Sequence, residues 1–350
     1  MNKRKIFSSF LRYSGFFHGL RTFSDGQTLC IIMYHRIFKH PDKFSYYLTG
    51  VTPEMFNAQM RFLSRHFAAI SLEDAVDRIH SGQGLPKNAV SVTIDDGYED
   101  CYTFAYPVFK KYGIPATIYV TTNQIGSSEA FWVDKIGYIF KEGNHRKQHY
   151  ANSVLGQMEF GHAHNRRAYV EQVIQKLKLV SDIEKNDVIR DLKDFFQVSD
   201  KDLKVDYNLT WAQIRKMSEN GISFGAHTVT HPILTRIPLS AAEREIAESK
   251  LKIEAEIKKQ VYGFCYPNGT EADFDESIIT VLKRLGFTYA LSTIWGFNNM
   301  NSDLFRLKRV GPNDDDDMAA FDCIVSGGFE LSNRIRKIIS KVPLCYRSAT

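Results

Sequence analysis

Short apolar runs alternate with amphipathic stretches along most of the chain. Residues 28–34, 115–121, 222–226, 261–266, 287–292 and 305–310 read as strands, and residues 90–94 form a β-branched run of the kind found in sheets buried on both faces. Between the runs lie helical patterns with start and stop signals. Thr52-Pro53 opens one, and Ser71-Leu-Glu-Asp74 has capping-box character and opens another that reaches about His80. Patterns at 98–112, 211–220 and 274–285 end at Gly113, Gly221 and Gly286, and the one at 240–260 is long and charged. The run Asp314 to Asp317 reads as the acidic start of a last helix and needs no metal. Strand and helix therefore alternate through seven or eight units, which predicts an α/β fold of parallel strands with crossover helices. The alternation pauses between 129 and 206, where the pattern is polar and helical, and an α-helical insertion of roughly 75 residues is expected there.

In repeating β/α folds the active residues sit where strands end. His35, Asp95, Asp96, His227, His231 and the stretch Tyr266-Pro-Asn-Gly269 all fall at such ends, so four strands direct polar groups to one rim. Adjacent carboxylates are costly to bury unless a cation holds them, and Asp95-Asp96 could divide the work between binding a metal and accepting a proton. A helix cap followed by a turn glycine, Gly97, fits the same stretch. His227 and His231 have the spacing of a two-point metal clamp, and with one aspartate they would leave coordination positions open for water and substrate. Spacing alone is weak evidence: His145 and His149 share it within the polar insertion, where a solvated surface is expected.

Composition adds bounds. Hydrophobic residues make up 43% and charged residues 24%, as in soluble globular proteins, and a net charge of +5 is too mild to indicate nucleic acid. Cys30, Cys101, Cys265, Cys323 and Cys345 are scattered without a C-x-x-C pair, which suggests reduced thiols in a cytoplasmic setting. The segment 1–27 starts basic and shows no clear cleavage site, so no signal peptide is expected; the tail 326–350 is basic as well. Both ends interleave basic and apolar residues, which suggests peripheral contact with an anionic membrane at the inner face of the cell membrane.

Thr93-Ile-Asp-Asp-Gly97, His227-Thr-Val-Thr-His231 and Tyr266-Pro-Asn-Gly269, in that order, resemble the first three motifs of the polysaccharide deacetylase family, the NodB-homology group of carbohydrate esterases. The resemblance covers residues 28–325 apart from the insertion. It implies a distorted (β/α)7-8 barrel and metal-dependent removal of N-acetyl groups from amino sugars. By motif, Asp95 would be the base, Asp96, His227 and His231 would hold the metal, and the backbone N–H of Asn268 would meet the oxyanion. The expected metal is a divalent ion, most readily zinc, with cobalt or nickel compatible.

Two family positions differ. The arginine that often orients the base is replaced by Cys265, and the strand Arg306-Leu-Lys-Arg-Val310 lacks the histidine that usually serves as general acid. His35, within Met33-Tyr34-His35-Arg36, resembles the early-strand histidine that fills this role in one branch of the family. The cysteine pattern and basic ends suggest a lipid-linked or nucleotide-linked precursor of a surface polysaccharide as substrate. A deformylase, an O-acetyl esterase and a non-catalytic glycan-binding relative remain as alternatives. The insertion follows a strand on the active rim, so it is the expected source of substrate selectivity. Trp295 could line an acetyl pocket but is left outside the core set.

Overall fold

The computed structural model describes residues 19, 21, 26–38, 50–145, 149–160 and 166–328. The barrel strands are β1 (Thr28–Tyr34), β5 (Ala89–Ile94), β6 (Ala116–Val120), β9 (Ser223–Ala226), β10 (Gly263–Cys265), β11 (Tyr289–Trp295) and β13 (Leu307–Arg309). They run parallel in the order β1-β5-β6-β9-β10-β11-β13, with β12 (Asn298–Asn299) antiparallel on β1. Short pieces β2 (Arg36–Ile37), β3 (Gly50–Val51) and β4 (Ala68–Ala69) accompany them. Val310 bridges back to β1, accepting from Met33 N at 2.8 Å and donating to Ile31 O at 2.9 Å, so the sheet is nearly closed.

Among the described residues, the α-helices outside the insertion are α1 (Pro53–His66), α2 (Leu72–Ser81), α3 (Tyr106–Tyr112), α7 (Trp211–Glu219), α8 (Leu239–Ile257), α9 (Glu276–Arg284) and α10 (Met318–Val325). Their starts follow the sequence signals. Thr52 caps Met55 N, Ser71 caps Asp74 N, and Asp317 caps Ala319 and Ala320. Outward-facing strand residues such as Val90, Val92 and Ile94 pack beneath the helices in the main core. Inward-facing Leu29, Ile31, Tyr119, Tyr289 and Leu291 fill the barrel. Gly225 makes room for Tyr119, since a Cβ there would lie 2.2 Å from its ring. Leu72, Ala75, Val76 and Ile79 of α2 join this inner cluster, and Glu73 reaches Ser223 and Tyr289, the first residues of β9 and β11. Thus α2 stoppers the end where strands begin and leaves the opposite end for the site.

The insertion has its own core, drawn from residues between Ala130 and Val205. It contains α4 (Trp132–Glu142), α5 (Arg166–Leu177) and α6 (Asp182–Phe195). It is not purely helical, as the pattern suggested. An antiparallel hairpin, β7 (His149–Asn152) with β8 (Gly156–Glu159), lies between α4 and α5. Its strands are four residues long and bury only Tyr150 and Met158 among their side chains, too little apolar alternation to register in the sequence. No helix among the described residues is long and apolar enough to cross a membrane. The basic segments expected at a membrane surface lie almost wholly outside the described residues.

Candidate active site

Each strand contributes through the one to three residues that follow its last position. Asp95 and Asp96 leave β5, His35 leaves β1, His227 leaves β9, and Asn268 follows β10. The backbone turns sharply at these points. Asp96 (φ 76°), Thr228 (φ 65°), His231 (φ 63°) and Asn268 (φ 60°) all occupy the left-handed region. Such conformations cost about 1 kcal/mol or more each for non-glycine residues and persist where surrounding contacts enforce them. The enforcement is visible around the histidines. Glu245 of α8 accepts from Val229 N and Thr230 N at 2.8 Å each, and Thr228 Oγ1 accepts from His231 N at 3.0 Å.

The donor atoms of the predicted triad converge. His227 Nε2 and His231 Nε2 lie 3.4 and 3.6 Å from Asp96 Oδ1, and 3.1 Å from each other. Tetrahedral coordination with bonds of about 2.0–2.2 Å sets donor atoms roughly 3.3–3.6 Å apart, so the set fits a small divalent ion such as zinc. His227 Nδ1 pairs with the Cys265 carbonyl at 2.7 Å, which fixes the tautomer presenting Nε2 to the triad. Burial, with adjacent His227, pushes His231 down to about 3 and keeps its imidazole neutral, the ligating form. Burial alone would raise Asp96; its contact with His227 and the neighbouring His35 and His231 imidazoles outweigh that and hold the carboxyl below its ordinary range.

Asp95 points elsewhere. Both its oxygens are gripped by Arg309, Nη1 to Oδ1 and Nη2 to Oδ2, each at 2.8 Å. Arg309 has no exposed side-chain surface, and its Nε donates to Ser292 O at 2.8 Å. Burial would raise Asp95, and the guanidinium reverses that, so the carboxylate is held ionised. Arg309 Nη2 also lies 3.1 Å from Cys265 Sγ. An arginine therefore does occupy the space beside Asp95, but it comes from β13 and not from the third motif. Its signal was present in the sequence: strand alternation puts Arg309 on the same inward face as Leu307, where an unpaired guanidinium could not stay. Asp95, His227 and Cys265 also approach one another closely, but Arg309 already supplies the cation there.

His35 Nε2 is 3.8 Å from Asp95 Oδ2, with its side chain 30% exposed, so it borders both that carboxylate and solvent. Asn268 lines the same cavity, with its side chain tied to Asp273 Oδ2 at 2.6 Å. Tyr266 N donates to Leu291 O at 3.1 Å and is spent in the sheet, whereas the Asn268 N–H finds no acceptor among the described residues. All six predicted residues, His35, Asp95, Asp96, His227, His231 and Asn268, line one cavity of about 220 Å³, which Lys178 from the insertion also borders. Trp295 does not line it and is 44% exposed. Of the second H-x-x-x-H pair, His145 packs on Phe196 and His149 is exposed, and neither joins a ligand cluster among the described residues.

Known proteins resemble the chain in sequence and in fold. The sequence profile of the polysaccharide deacetylase family matches residues 82–290. Bacillus subtilis YxkH, named for the same family, is 22% identical over 81% of this chain and 70% of its own length. The poly-beta-1,6-N-acetyl-D-glucosamine N-deacetylase of Staphylococcus epidermidis is 35% identical over a shorter stretch, 27% of this chain and 36% of that enzyme. Among solved structures, Streptococcus pyogenes deacetylase PplD superposes with a TM-score of 0.55 at 20% identity, covering 82% of this chain and 93% of that one. IcaB from Ammonifex degensii gives 0.54 at 17% identity, over 85% and 97%. With a distorted barrel of the NodB type and a family profile matching more than half its residues, this chain belongs to the polysaccharide deacetylase family.

Proposed function

We propose that the chain is a metal-dependent N-deacetylase of an amino sugar carried in a surface-polysaccharide or glycolipid precursor. The observation that carries this reading is the divided carboxylate pair: Asp96 faces two imidazole nitrogens while Asp95, one residue away, is locked onto Arg309. The Staphylococcus relative, named as acting on poly-beta-1,6-N-acetyl-D-glucosamine, supports the amino-sugar class.

In this reading Asp96, His227 and His231 hold the divalent ion, which when bound polarises a carbonyl and makes water a better nucleophile. Asp95 takes the proton from the attacking water, and the fixed guanidinium behind it keeps the carboxylate oriented and ionised. The carbonyl carbon becomes tetrahedral, and the Asn268 N–H faces the negative oxygen. His35 delivers a proton to the sugar nitrogen as the C–N bond breaks, giving acetate and a free amine. The test is the acid released. Wild type is expected to liberate acetate from an N-acetylated amino sugar and Asp95→Asn to liberate none. Formate in its place would make the enzyme a deformylase, and no acid from a metal-loaded protein would favour a glycan-binding role.

A further inference from the structure

The insertion meets the barrel at both of its ends, and the meeting point lies beside His35. Asp134, in the first turn of α4, is fully buried, and its Oδ2 accepts from the hydroxyls of Tyr98 and Tyr207 at 2.9 Å each. Tyr98 follows the carboxylate pair, and Tyr207 stands where the chain leaves the insertion. These two segments are laced together: Glu99 N donates to Tyr207 O at 2.6 Å, and Leu209 N to Gly97 O at 3.0 Å.

The two rings hold a cation. The Arg36 guanidinium lies over Tyr98 at 4.3 Å and over Tyr207 at 4.7 Å, and its Nε donates to Asp100 Oδ2 at 2.8 Å. Asp100 Oδ2 also accepts from Ile37 N at 3.0 Å, so both residues after His35 are fixed. On the other side, Tyr34 O accepts from Asp95 N at 2.9 Å. The His35 ring differs from its neighbours. Among the described residues no hydrogen bond reaches it; it stands 3.8 Å from Asp95 Oδ2 with its side chain 30% exposed. A side chain without a hydrogen bond of its own keeps its place through its backbone, and on one side that backbone is Arg36.

We propose that Asp134 is a positioning residue for His35. By orienting two hydroxyls it fixes the aromatic faces, the faces fix Arg36, and Arg36 holds the neighbouring imidazole at the cavity. The catalytic consequence rests on the deacetylase reading above, in which His35 gives its proton to the departing sugar nitrogen. A misplacement of about 1 Å near the reacting atoms can cost on the order of a hundredfold in rate. The insertion thereby sets the acid that the last barrel strand lacks.

The experiment uses the full chain with ring-labelled histidine and has two readouts. One is the His35 ring signal in the NMR spectrum, assigned with His35→Ala. The other is turnover of an N-acetylated amino sugar relative to p-nitrophenyl acetate, whose phenolate leaves without being protonated. Asp134→Leu removes the acceptor for the tyrosines, and Asp134→Asn keeps one. Asp134→Leu should shift the His35 signal and lower the amide-to-ester ratio about tenfold or more, whereas Asp134→Asn should stay within about twofold of the wild-type ratio. Metal content should not change; it is measured because Phe131 packs on Tyr98 at 5.2 Å and on His231 at 5.5 Å between ring centroids. Tyr207→Phe keeps the ring, loses the hydroxyl and makes the same test if Asp134→Leu does not fold. An unmoved His35 signal, or equal losses on amide and ester, overturns the inference. A shifted signal in a protein whose wild type releases no acetate would keep the coupling and remove the deacetylase reading. Acetate release with an unmoved signal would do the reverse.

Discussion

At the scale of single residues, the account turns on how a carboxylate is kept charged in a buried place. Asp95 and Arg309 form a bidentate pair with almost no solvent contact. Such a pair is weak evidence for stability, but removing one partner leaves an uncompensated charge and costs about 3–5 kcal/mol. Arg309→Met should therefore lower stability, and in protein that still folds it should cut kcat/KM by roughly a hundredfold or more. The pH dependence gives a specific sign. The guanidinium lowers the Asp95 pKa, so its loss raises it, and the acid limb of the pH–rate profile should move to higher pH. Arg309→Lys should restore part of both effects, and an unmoved acid limb would deny Arg309 its positioning role. His35→Ala should reduce turnover by about 10²–10⁴-fold while metal content stays intact; full activity would exclude it as the acid. Asp95, Asp96 and the histidines were legible as residue types at strand ends. Arg309 was legible only through strand alternation, which sets it inward with Leu307; nothing in the sequence paired that face with Asp95.

At the scale of elements, the insertion is bolted to the rim by a buried network. Tyr98 and Tyr207 each donate to Asp134 Oδ2 at 2.9 Å. Arg36, next to His35, lies over both rings at 4.3 and 4.7 Å and pairs with Asp100 at 2.8 Å. Asp134 on α4 thus connects the insertion to the segment that carries His35. Burial pushes Asp134 up to about 7, against the pull of Arg36 and the two tyrosine hydroxyls. An unfolded aspartate titrates near about 4, so between there and about 7 the folded chain holds a proton the unfolded chain has lost. Stability from this group therefore falls as pH rises through that window. Asp134→Asn keeps an acceptor for the tyrosines and should flatten the slope of unfolding free energy between pH 4 and 7; a slope like that of wild type would contradict the assignment. None of this network was readable from periodicity, since Asp134 sits in an amphipathic helix whose burial comes from tertiary contact. The hairpin β7–β8 escaped for the opposite reason, being too short and too polar to show a period. The strands and caps of the barrel were legible because apolar runs and turn residues agree there.

At the scale of the whole molecule, α2 closes one end of a nearly sealed barrel, and the other end carries a carboxylate pair, two histidines and a wall lent by the insertion. Fold and family were legible in the order of three short motifs, and the proposed metal dependence rests on the convergence of Asp96, His227 and His231 at that rim. The most direct test is acetate release from N-acetylated amino sugars offered free, nucleotide-linked and lipid-linked, with metal content determined on the same samples. Wild type should carry about one divalent ion per chain and release acetate, and both Asp95→Asn and chelator treatment should abolish release, the first without loss of the ion. Acetate release undiminished by chelation, or carefully prepared active protein without any metal, would contradict the account.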